Sequence, residues 1–571
     1  MNLSRRRLYF KSLRQKGGEV GQITTAEAIV QTLVRQGVDT IFGLPGVQTY
    51  ELFDALHKAQ DQINLVTVRH EQAAAYMAFG YAQSTGKVGV YTVVPGPGVL
   101  NSAAALSTAY ACNTPVLCVT SEINSAGIGK RHGLLHELPD QLGTLQSFIK
   151  WADMINSPEE APAKVEEAFR QMLNGQPGPV ALETPHDIMG VRGDVDIPKS
   201  FVRSEPAEPM AGKVTEAAKL IAGAKRPMIF VGGGAKHAGE EVVELAERLG
   251  APVGSYITGR GIIPDDHPLG VTLPMAREFW PETDLLIGIG SRLEAPYRLW
   301  NKTMAIVERP AEPKLVRIDV YETELARLPA DVSLCGDAKL AVRSLVDALS
   351  EEDMNFEDRN EKIAAVKANM TEAFQALQPQ ISYLNIIRDL VPRDGFFVEE
   401  LTQIGFTSAF AYPVLESRTY VTCGYQGTLG FGFPTALGVK YGNPDKDVVS
   451  VTGDGGFMFG VQDLATAALY GIGLVTVIFN NDGYGNVRRS QEKQYDGRVI
   501  GSDLKNPDFM KLADAFEVGG YRVEDPDSFK NALVQALELS RSDNQPALIE
   551  VVVEPGSEAA PWPFIHGPGK R

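Results

Sequence analysis

Two β-branched runs with a helical segment between them constrain the fold more than any other part of the chain. Residues 448–452 and 474–479 have the composition of buried strands, and residues 462–470 have a helical pattern. A strand, a helix and a second strand in this order form a βαβ unit whose two strands are parallel. Because parallel sheets are covered by helices on both faces, this stretch predicts an α/β domain.

Polar residues follow each of these two strands. Gly453–Gly456 forms a turn after the first strand, and Asn481 follows the second, 27 positions after Asp454 (481 − 454 = 27). Ligands of such units bind at the carboxyl ends of the strands, so Asp454 and Asn481 are expected to lie close together. A carboxylate and an amide oxygen suit Mg²⁺, which takes phosphate oxygens as further ligands. The alternative is a pair of ordinary turns.

Length and composition limit the class of protein. The chain has 571 residues, enough for three or four domains, and its net charge of −17 disfavours nonspecific binding to nucleic acid. No apolar run reaches the ~18 residues of a transmembrane helix. The four cysteines form no metal-binding pattern, which predicts free thiols and a cytoplasmic location. Residues 1–21 are predicted to be a basic extension, with an organelle-targeting segment as the alternative.

Strand and helix patterns alternate in three separate stretches of the chain. This alternation predicts an α/β protein with three Rossmann-like parallel-sheet domains. The predicted boundaries are residues 22–190, 211–350 and 379–555 for the domains, 191–210 and 351–378 for the linkers, and 556–571 for a carboxyl-terminal tail. The tail either folds over a site or packs on the outside.

Glu71 is a candidate functional residue of the first domain. It opens a helix directly after the strand pattern of residues 65–68, and the small residues Ala73–Ala75 follow it. A glutamate in the first turn of a helix is also favoured by the helix dipole alone, so the position by itself does not decide its role. A dinucleotide site after Gly232–Gly234 is disfavoured, because His237 stands where the fingerprint requires glycine.

Four stretches together resemble one family. They are GDGG followed by NN, HEQAAAYMAFGYAQSTGK, GLPGVQTYELFDAL and PGPGVLNSAAALSTAYACNTPVL. The chain resembles thiamine diphosphate (ThDP)-dependent enzymes of the acetolactate synthase, pyruvate decarboxylase and benzoylformate decarboxylase superfamily over about residues 22–555. The resemblance implies a pyrimidine-binding first domain, a central domain and a diphosphate-binding third domain.

The resemblance also assigns roles to individual residues. It implies that Glu71 shares a proton with the aminopyrimidine ring of the cofactor. It implies that Leu429, in the turn GTLGFG, bends the cofactor, although core packing of this leucine is the alternative. The implied Mg²⁺ ligands are Asp454, Asn481 and the Gly483 carbonyl, and the implied cofactor contacts are Gln403, Leu429, Gly453, Asp454, Gly455, Gly456, Asn481, Gly483 and Tyr484.

The implied activity is the ThDP- and Mg²⁺-dependent decarboxylation of a 2-oxo acid. The acyl unit is then released as an aldehyde or joined to a second carbonyl compound. A homodimer is the minimum unit, because the family takes Glu and the diphosphate site from different chains, and a homotetramer is the expected assembly. FAD is doubtful, because residues 270–277 do not match the loop of flavin-containing members. The alternatives are a lyase of the 2-hydroxyacyl-CoA or oxalyl-CoA type and a noncatalytic subunit.

The predicted substrate pocket departs from that of acetolactate synthases. Asn486 and Ser490 stand where that family usually has Met and Trp, which predicts a roomier and more polar pocket. His136 and Glu137 stand in place of a Phe-Gln pair. His136 is a candidate catalytic residue, able to relay a proton or bind a carboxylate, with an ordinary loop histidine as the alternative. Arg488 and Arg489 are either carboxylate ligands or surface charges.

Overall fold

Three six-stranded parallel sheets, each with helices packed around it, form the protein. The computed structural model describes residues 22–198, 205–300 and 309–567. The predicted basic extension at residues 1–21 lies outside the described residues. The fold class predicted from the sequence, an α/β protein of three Rossmann-like domains, is confirmed.

The first sheet has the strand order β3-β2-β4-β5-β7-β6, and every neighbouring pair is parallel. Strands β1 and β8 pair antiparallel outside it, so part of the predicted first linker is a strand. The strands are β1 (Gln22–Thr24), β2 (Thr40–Gly43), β3 (Asn64–Thr67), β4 (Gly89–Val93), β5 (Val116–Glu122), β6 (Trp151–Met154), β7 (Val180–Pro185) and β8 (Arg192–Asp194). The helices are α1 (Thr25–Arg35), α2 (Tyr50–Lys58), α3 (Glu71–Thr85), α4 (Pro97–Ala111), α5 (Gln141–Gln146), α6 (Ala161–Leu173) and α7 (His186–Met189).

A reciprocal pair of hydrogen bonds caps the start of α1. The Thr24 side chain accepts a hydrogen bond from the Glu27 amide at 3.1 Å. The Glu27 carboxylate accepts in return from the Thr24 amide at 2.9 Å. This reciprocal pair requires Glu three positions after the cap, which only Thr24 has.

The central sheet has the order β11-β10-β9-β12-β13-β14 and is also parallel throughout. Its strands are β9 (Pro227–Val231), β10 (Val253–Ser255), β11 (Gly270–Val271), β12 (Leu285–Ile289), β13 (Lys314–Asp319) and β14 (Val332–Cys335). Its helices, with the connector helix last, are α8 (Ala211–Ala222), α9 (Gly239–Leu249), α10 (Leu273–Phe279), α11 (Glu322–Arg327), α12 (Ala338–Ala348) and α13 (Asn360–Phe374).

The third sheet has the order β16-β15-β17-β18-β20-β19. The predicted βαβ unit is confirmed, because β17 and β18 are adjacent and parallel. The strands are β15 (Phe396–Val398), β16 (Tyr420–Val421), β17 (Val448–Gly453), β18 (Val475–Asn480), β19 (Gly519–Val523) and β20 (Ala547–Val552). The helices are α14 (Gln380–Leu390), α15 (Gln403–Ala411), α16 (Gly432–Gly442), α17 (Asp454–Phe457), α18 (Leu464–Tyr470), α19 (Gly485–Gln494), α20 (Phe509–Ala515), α21 (Pro526–Asp543) and α22 (Trp562–His566).

The first and third domains of the chain share one hydrophobic core. Helices α3 and α16 cross at very close range, since a Cβ at Gly80 would overlap the Thr435 carbonyl oxygen and a Cβ at Gly438 would overlap that of Met77. Glycine at both crossing points therefore lets the two backbones touch. This crossing fixes the position of α3, and so of Glu71 at its start, relative to the third domain of the same chain.

Two simpler predictions can be compared directly with the fold. The four cysteines are free thiols, and Cys118 and Cys423 are buried. Within residues 22–198, 205–300 and 309–567, no helix combines the length and the apolar character that crossing a bilayer requires.

Candidate functional site

The carboxyl ends of β17 and β18 carry the two residues predicted to bind a cation. Asp454 is the first residue of α17 and is 3% exposed. Asn481 directly follows β18. Both line a cavity of about 280 Å³ at this edge of the third sheet, where a parallel sheet is expected to bind ligands.

Most of the site residues predicted from the sequence meet in this cavity, which we call the sheet-edge cavity. The predicted residues in its lining are Gln403, Leu429, Gly453, Asp454, Gly455, Gly456, Asn481, Gly483, Tyr484 and Asn486. They come from four separate segments of the third domain. Among the described residues, the predicted site residues Glu71, His136, Glu137 and Ser490 are not part of this lining.

Asp454 and Asn481 present oxygen atoms that suit a metal ion. Asp454 accepts hydrogen bonds from the Asn506 side-chain amide at 2.7 Å and from the Gly483 amide at 3.2 Å. Burial raises the pKa of Asp454, so a nearby cation would favour its charged form. The side-chain oxygen of Asn481 is buried and has no hydrogen-bond partner among the described residues. Such an oxygen beside a carboxylate fits Mg²⁺.

The glycines after β17 leave no room for side chains. A Cβ at Gly455 would lie 2.5 Å from a ring carbon of Tyr484, and a Cβ at Gly456 would overlap the Glu400 carboxylate. Because glycine has no side chain, these residues present only backbone atoms to the cavity. Bare backbone at a strand end suits the close approach of an anionic group such as a diphosphate.

Leu429 projects from a turn with two glycines in the left-handed region. Gly427 has φ +58° and Gly430 has φ +83°. The Gly430 amide donates to the carboxylate of Glu400, which also accepts from the Thr452 hydroxyl at 2.6 Å. Glu400 is fully buried, and burial raises its pKa to about 7. Glu400 thus connects the turn that carries Leu429 to β17, the strand that ends directly before Asp454.

Glu71 is held at the start of α3, away from the sheet-edge cavity of its own chain. Its carboxylate accepts a hydrogen bond from the Asn101 side chain at 3.0 Å. His70 caps the helix, accepting from the Gln72 amide at 3.1 Å. Gly98 packs beside the Glu71 side chain, since a Cβ atom on Gly98 would lie 3.7 Å from the Glu71 Cγ. Among the described residues this is the one hydrogen bond of the Glu71 carboxylate, and the His70 ring nitrogen Nδ1 lies 4.0 Å from the same oxygen.

His136 and Glu137 lie in a loop of the first domain. His136 has φ +67°, and its Nδ1 lies 2.7 Å from the side-chain oxygen of Gln48. Glu137 accepts from the amides of Leu134 at 2.9 Å and His132 at 3.2 Å, and these backbone bonds lower its pKa. The Glu137 carboxylate therefore stabilises its own loop.

A second cavity of about 510 Å³ lies between α19 and the carboxyl-terminal helix α22. Asn486 lines both this cavity and the sheet-edge cavity, and Ser490 lines only the second one. The tail thus lies beside the mouth of the site, where Glu558 also reaches the Asn481 amide at 3.4 Å. Burial raises the pKa of Glu558 to about 7.

The two arginines of α19 have different environments. Arg488 is paired with the carboxylates of Asp503 and Glu492. Arg489 lines the second cavity and donates to the Glu558 carbonyl at 2.8 Å, while its Nη1 is buried without a hydrogen-bond partner in the part of the chain that the structure describes. Of the two, Arg489 is the one that lines this cavity.

Four residues of the site were missed from the sequence. The side chains of Asn101, Asn506 and Glu558 form hydrogen bonds with predicted site residues, and Glu400 accepts from Gly430, next to Leu429. Only Glu400 had a local signal, because it follows a buried strand at the same sheet edge. The other three come from a helix face, a long loop and the tail, and their contacts depend on the tertiary fold.

Comparison with known proteins agrees with this geometry. Three segments match the thiamine pyrophosphate enzyme domains: the N-terminal TPP binding domain over residues 23–144, the central domain over 214–345 and the C-terminal TPP binding domain over 401–551. A probable 2-ketoarginine decarboxylase of Pseudomonas aeruginosa is 33% identical over 90% of this chain and 91% of its own length.

Two further relatives are named as acetolactate synthases rather than as a decarboxylase. A probable acetolactate synthase large subunit of Methanocaldococcus jannaschii is 33% identical over 94% of this chain and 93% of its own length. The acetolactate synthase large subunit of Haemophilus influenzae is 31% identical over 96% of this chain and 97% of its own length.

A parallel-sheet cavity that joins a buried carboxylate, an amide oxygen and bare glycine backbone fits a diphosphate group. The chain belongs to the thiamine pyrophosphate enzyme family. The enzyme class predicted from the sequence, a ThDP-dependent decarboxylase or carboligase of 2-oxo acids, is thereby confirmed.

Proposed function

We propose that this enzyme uses ThDP with Mg²⁺ to decarboxylate a 2-oxo acid, and that its acceptor pocket differs from that of acetolactate synthases. The observation that carries the proposal is the sheet-edge cavity, in which the unpartnered Asn481 oxygen lies beside buried Asp454. The acyl unit is released as an aldehyde or joined to a second carbonyl compound. When bound, ThDP supplies a nucleophilic carbon and an electron sink.

The residues of the third domain fit the diphosphate end of the cofactor. Asp454, Asn481 and the Gly483 carbonyl would hold Mg²⁺, and Gly453–Gly456 would present backbone atoms to the phosphates. Gln403 lines the same cavity, and its side-chain NH2 group would donate to the phosphates. Leu429 and Tyr484 line the same cavity and would also contact the cofactor.

Glu71 would act on the aminopyrimidine ring by holding or releasing a proton at its ring nitrogen. Because Glu71 lies outside the sheet-edge cavity of its own chain, we propose that it serves the cofactor of a partner subunit. The smallest active unit is then a homodimer, and we propose a homotetramer as the full assembly. His136, in the same domain, would relay a proton or orient a substrate carboxylate.

The substrate is proposed to lie between the sheet-edge cavity and the second cavity. Asn486 joins the two spaces, and Ser490 and Arg489 line the outer one. Arg489 would bind the carboxylate of the 2-oxo acid, since arginine binds carboxylates in a bidentate manner. Polar Asn486 and Ser490 would accept a more polar donor or acceptor than the Met and Trp of acetolactate synthases allow. We propose that no flavin is bound, which absorbance of the purified protein in the visible range tests.

The test is a panel of 2-oxo acids supplied with and without aldehyde or 2-oxo acid acceptors, with products identified by mass. The proposal predicts release of CO₂ only when ThDP and Mg²⁺ are both present, from at least one donor of the panel. Asp454→Ala supplies the matched inactive control. Turnover that persists after both cofactors are removed, or in this variant, contradicts the proposal.

A further inference from the structure

The backbone of residues 67–69, which leads into Glu71 at the start of α3, is bound by the third domain of the same chain. The Arg69 amide donates to the Asp463 carboxylate at 2.8 Å. The Thr67 amide donates to the Tyr470 hydroxyl at 2.8 Å, and the Thr67 carbonyl accepts from the Thr466 hydroxyl at 3.3 Å. Three side chains of residues 463–470 thus bind the backbone of Thr67 and Arg69, and of these three contacts only that of Asp463 lies within two positions of Glu71.

Of these three side chains, Asp463 binds the backbone position closest in sequence to Glu71. It has no exposed surface and also accepts from the Thr466 hydroxyl at 2.9 Å. Within the described part of the chain no lysine or arginine forms an ion pair with it, and burial raises its pKa. A buried acid without a cation is costly unless its hydrogen bonds compensate. The hydrogen bond from the Arg69 amide, in the segment that leads into α3, is the main interaction that compensates the burial of the Asp463 carboxylate.

The orientation of the Glu71 side chain depends on the hydrogen bond from the Arg69 amide to Asp463, because few other contacts hold that side chain in place. Glu71 is the first residue of α3, two positions after Arg69. In the part of the chain that the structure describes, its side chain has one hydrogen bond, which the Asn101 side chain donates. Displacement of the Arg69 amide would turn the first residues of α3 and move the Glu71 carboxylate. Misplacement of a catalytic group by about 1 Å can reduce a rate by about 100-fold.

We propose that Asp463 is a positioning residue that aims Glu71 at the cofactor. The proposal rests on the proposed function, in which Glu71 serves the cofactor of the partner subunit. Asp463 belongs to the domain that also carries Asp454, nine positions earlier (463 − 454 = 9). Each third domain therefore holds one cofactor through Asp454 and sets the geometry of the other site through Asp463. This arrangement couples the two sites of a dimer through one rigid domain.

The test measures the exchange of the reactive carbon-bound proton of ThDP with deuterated solvent, by NMR after acid quench of the holoenzyme. Asp463→Ala is expected to slow exchange by about tenfold or more. Its affinity for Mg²⁺ and ThDP, measured by calorimetry, is expected to stay within about threefold of the wild type. Asp463→Asn retains an acceptor for the Arg69 amide and is expected to restore most of the exchange rate.

Two controls separate positioning from general damage. Tyr470→Phe removes a contact of the same interface at Thr67, four positions before Glu71, and is expected to exchange at the wild-type rate. If Asp463→Ala does not fold, Thr466→Val removes the hydroxyl that donates to Asp463 and to the Thr67 carbonyl, and it is expected to slow exchange by about threefold. Wild-type exchange in both Asp463→Ala and Thr466→Val, or equal slowing by Tyr470→Phe, overturns the proposal. Failure of the proposed function is distinguished because Glu71→Gln would then also exchange like the wild type.

Discussion

Glu183 is a buried carboxyl group whose ionisation the fold opposes. It lies on β7 with 1% of its surface exposed. Burial, with a smaller effect of the charges of Glu122 and Asp140, raises its pKa to about 8 from an ordinary value of 4.5. One carboxyl oxygen accepts from the Gln141 side chain at 2.9 Å, and the other has no partner among the described residues. The folded protein therefore holds Glu183 protonated at neutral pH.

This raised pKa makes stability depend on pH in a defined direction. Between pH 4.5 and about 8 the folded chain keeps a proton on Glu183 that the unfolded chain releases. The stabilisation linked to this proton is complete below pH 4.5 and is lost as the pH rises through about 8. The difference of 3.5 pH units (8 − 4.5 = 3.5) corresponds to about 5 kcal/mol over the full range.

Glu183→Gln tests this reasoning because its amide carbonyl accepts from Gln141 but does not titrate. The assay is the number of protons released when the protein is unfolded in guanidinium at about pH 6.5, where the wild type is expected to release about one more proton per chain than the variant. Glu166→Gln, an exposed position on α6, is the matched control and is expected to change this difference little. Equal proton release by the wild type and Glu183→Gln would refute the argument from burial.

The remaining predictions concern the site. Glu71→Gln should bind ThDP with near-normal affinity on calorimetry yet reduce kcat by about 100-fold or more, because it removes the proton-transferring group; near-normal kcat would contradict its role. Asp454→Ala should abolish Mg²⁺-dependent retention of ThDP after gel filtration, and unchanged retention would remove the metal assignment. Gly456→Ala should lower stability by about 1–3 kcal/mol in thermal unfolding, because its Cβ overlaps Glu400. Gly212→Ala, with open space around its Cβ, is the control and should not destabilise.

The core of the third domain could be predicted from local sequence alone. The strand runs that became β17 and β18, with the helix between them, have clear periods and compositions, and turn residues mark their ends. The rule that ligands meet at the carboxyl ends of parallel strands then brought Asp454 and Asn481 together correctly. Both predictions needed only neighbours along the chain and one rule of topology.

Other parts of the fold depend on contacts that a single sequence does not display. Strand β6 is partly exposed at the edge of the first sheet, and its residues Trp151–Met154 include the charged Asp153, so its pattern is weak. Strand β8 forms only by pairing with β1, about 170 positions earlier. The same holds for the site. The hydrogen bond from Arg69 to Asp463 joins residues 394 positions apart, and nothing local to either residue indicates it.

The most direct test of the shared-site account uses two inactive variants in one assembly. Chains carrying Glu71→Gln and chains carrying Asp454→Ala are given different affinity tags, expressed together, and purified through both tags. If each site takes Glu71 from one chain and Asp454 from the other, a mixed dimer has one doubly altered site and one intact site. The account predicts recovery of about half the wild-type activity of 2-oxo acid decarboxylation. A mixed dimer as inactive as either parent contradicts it.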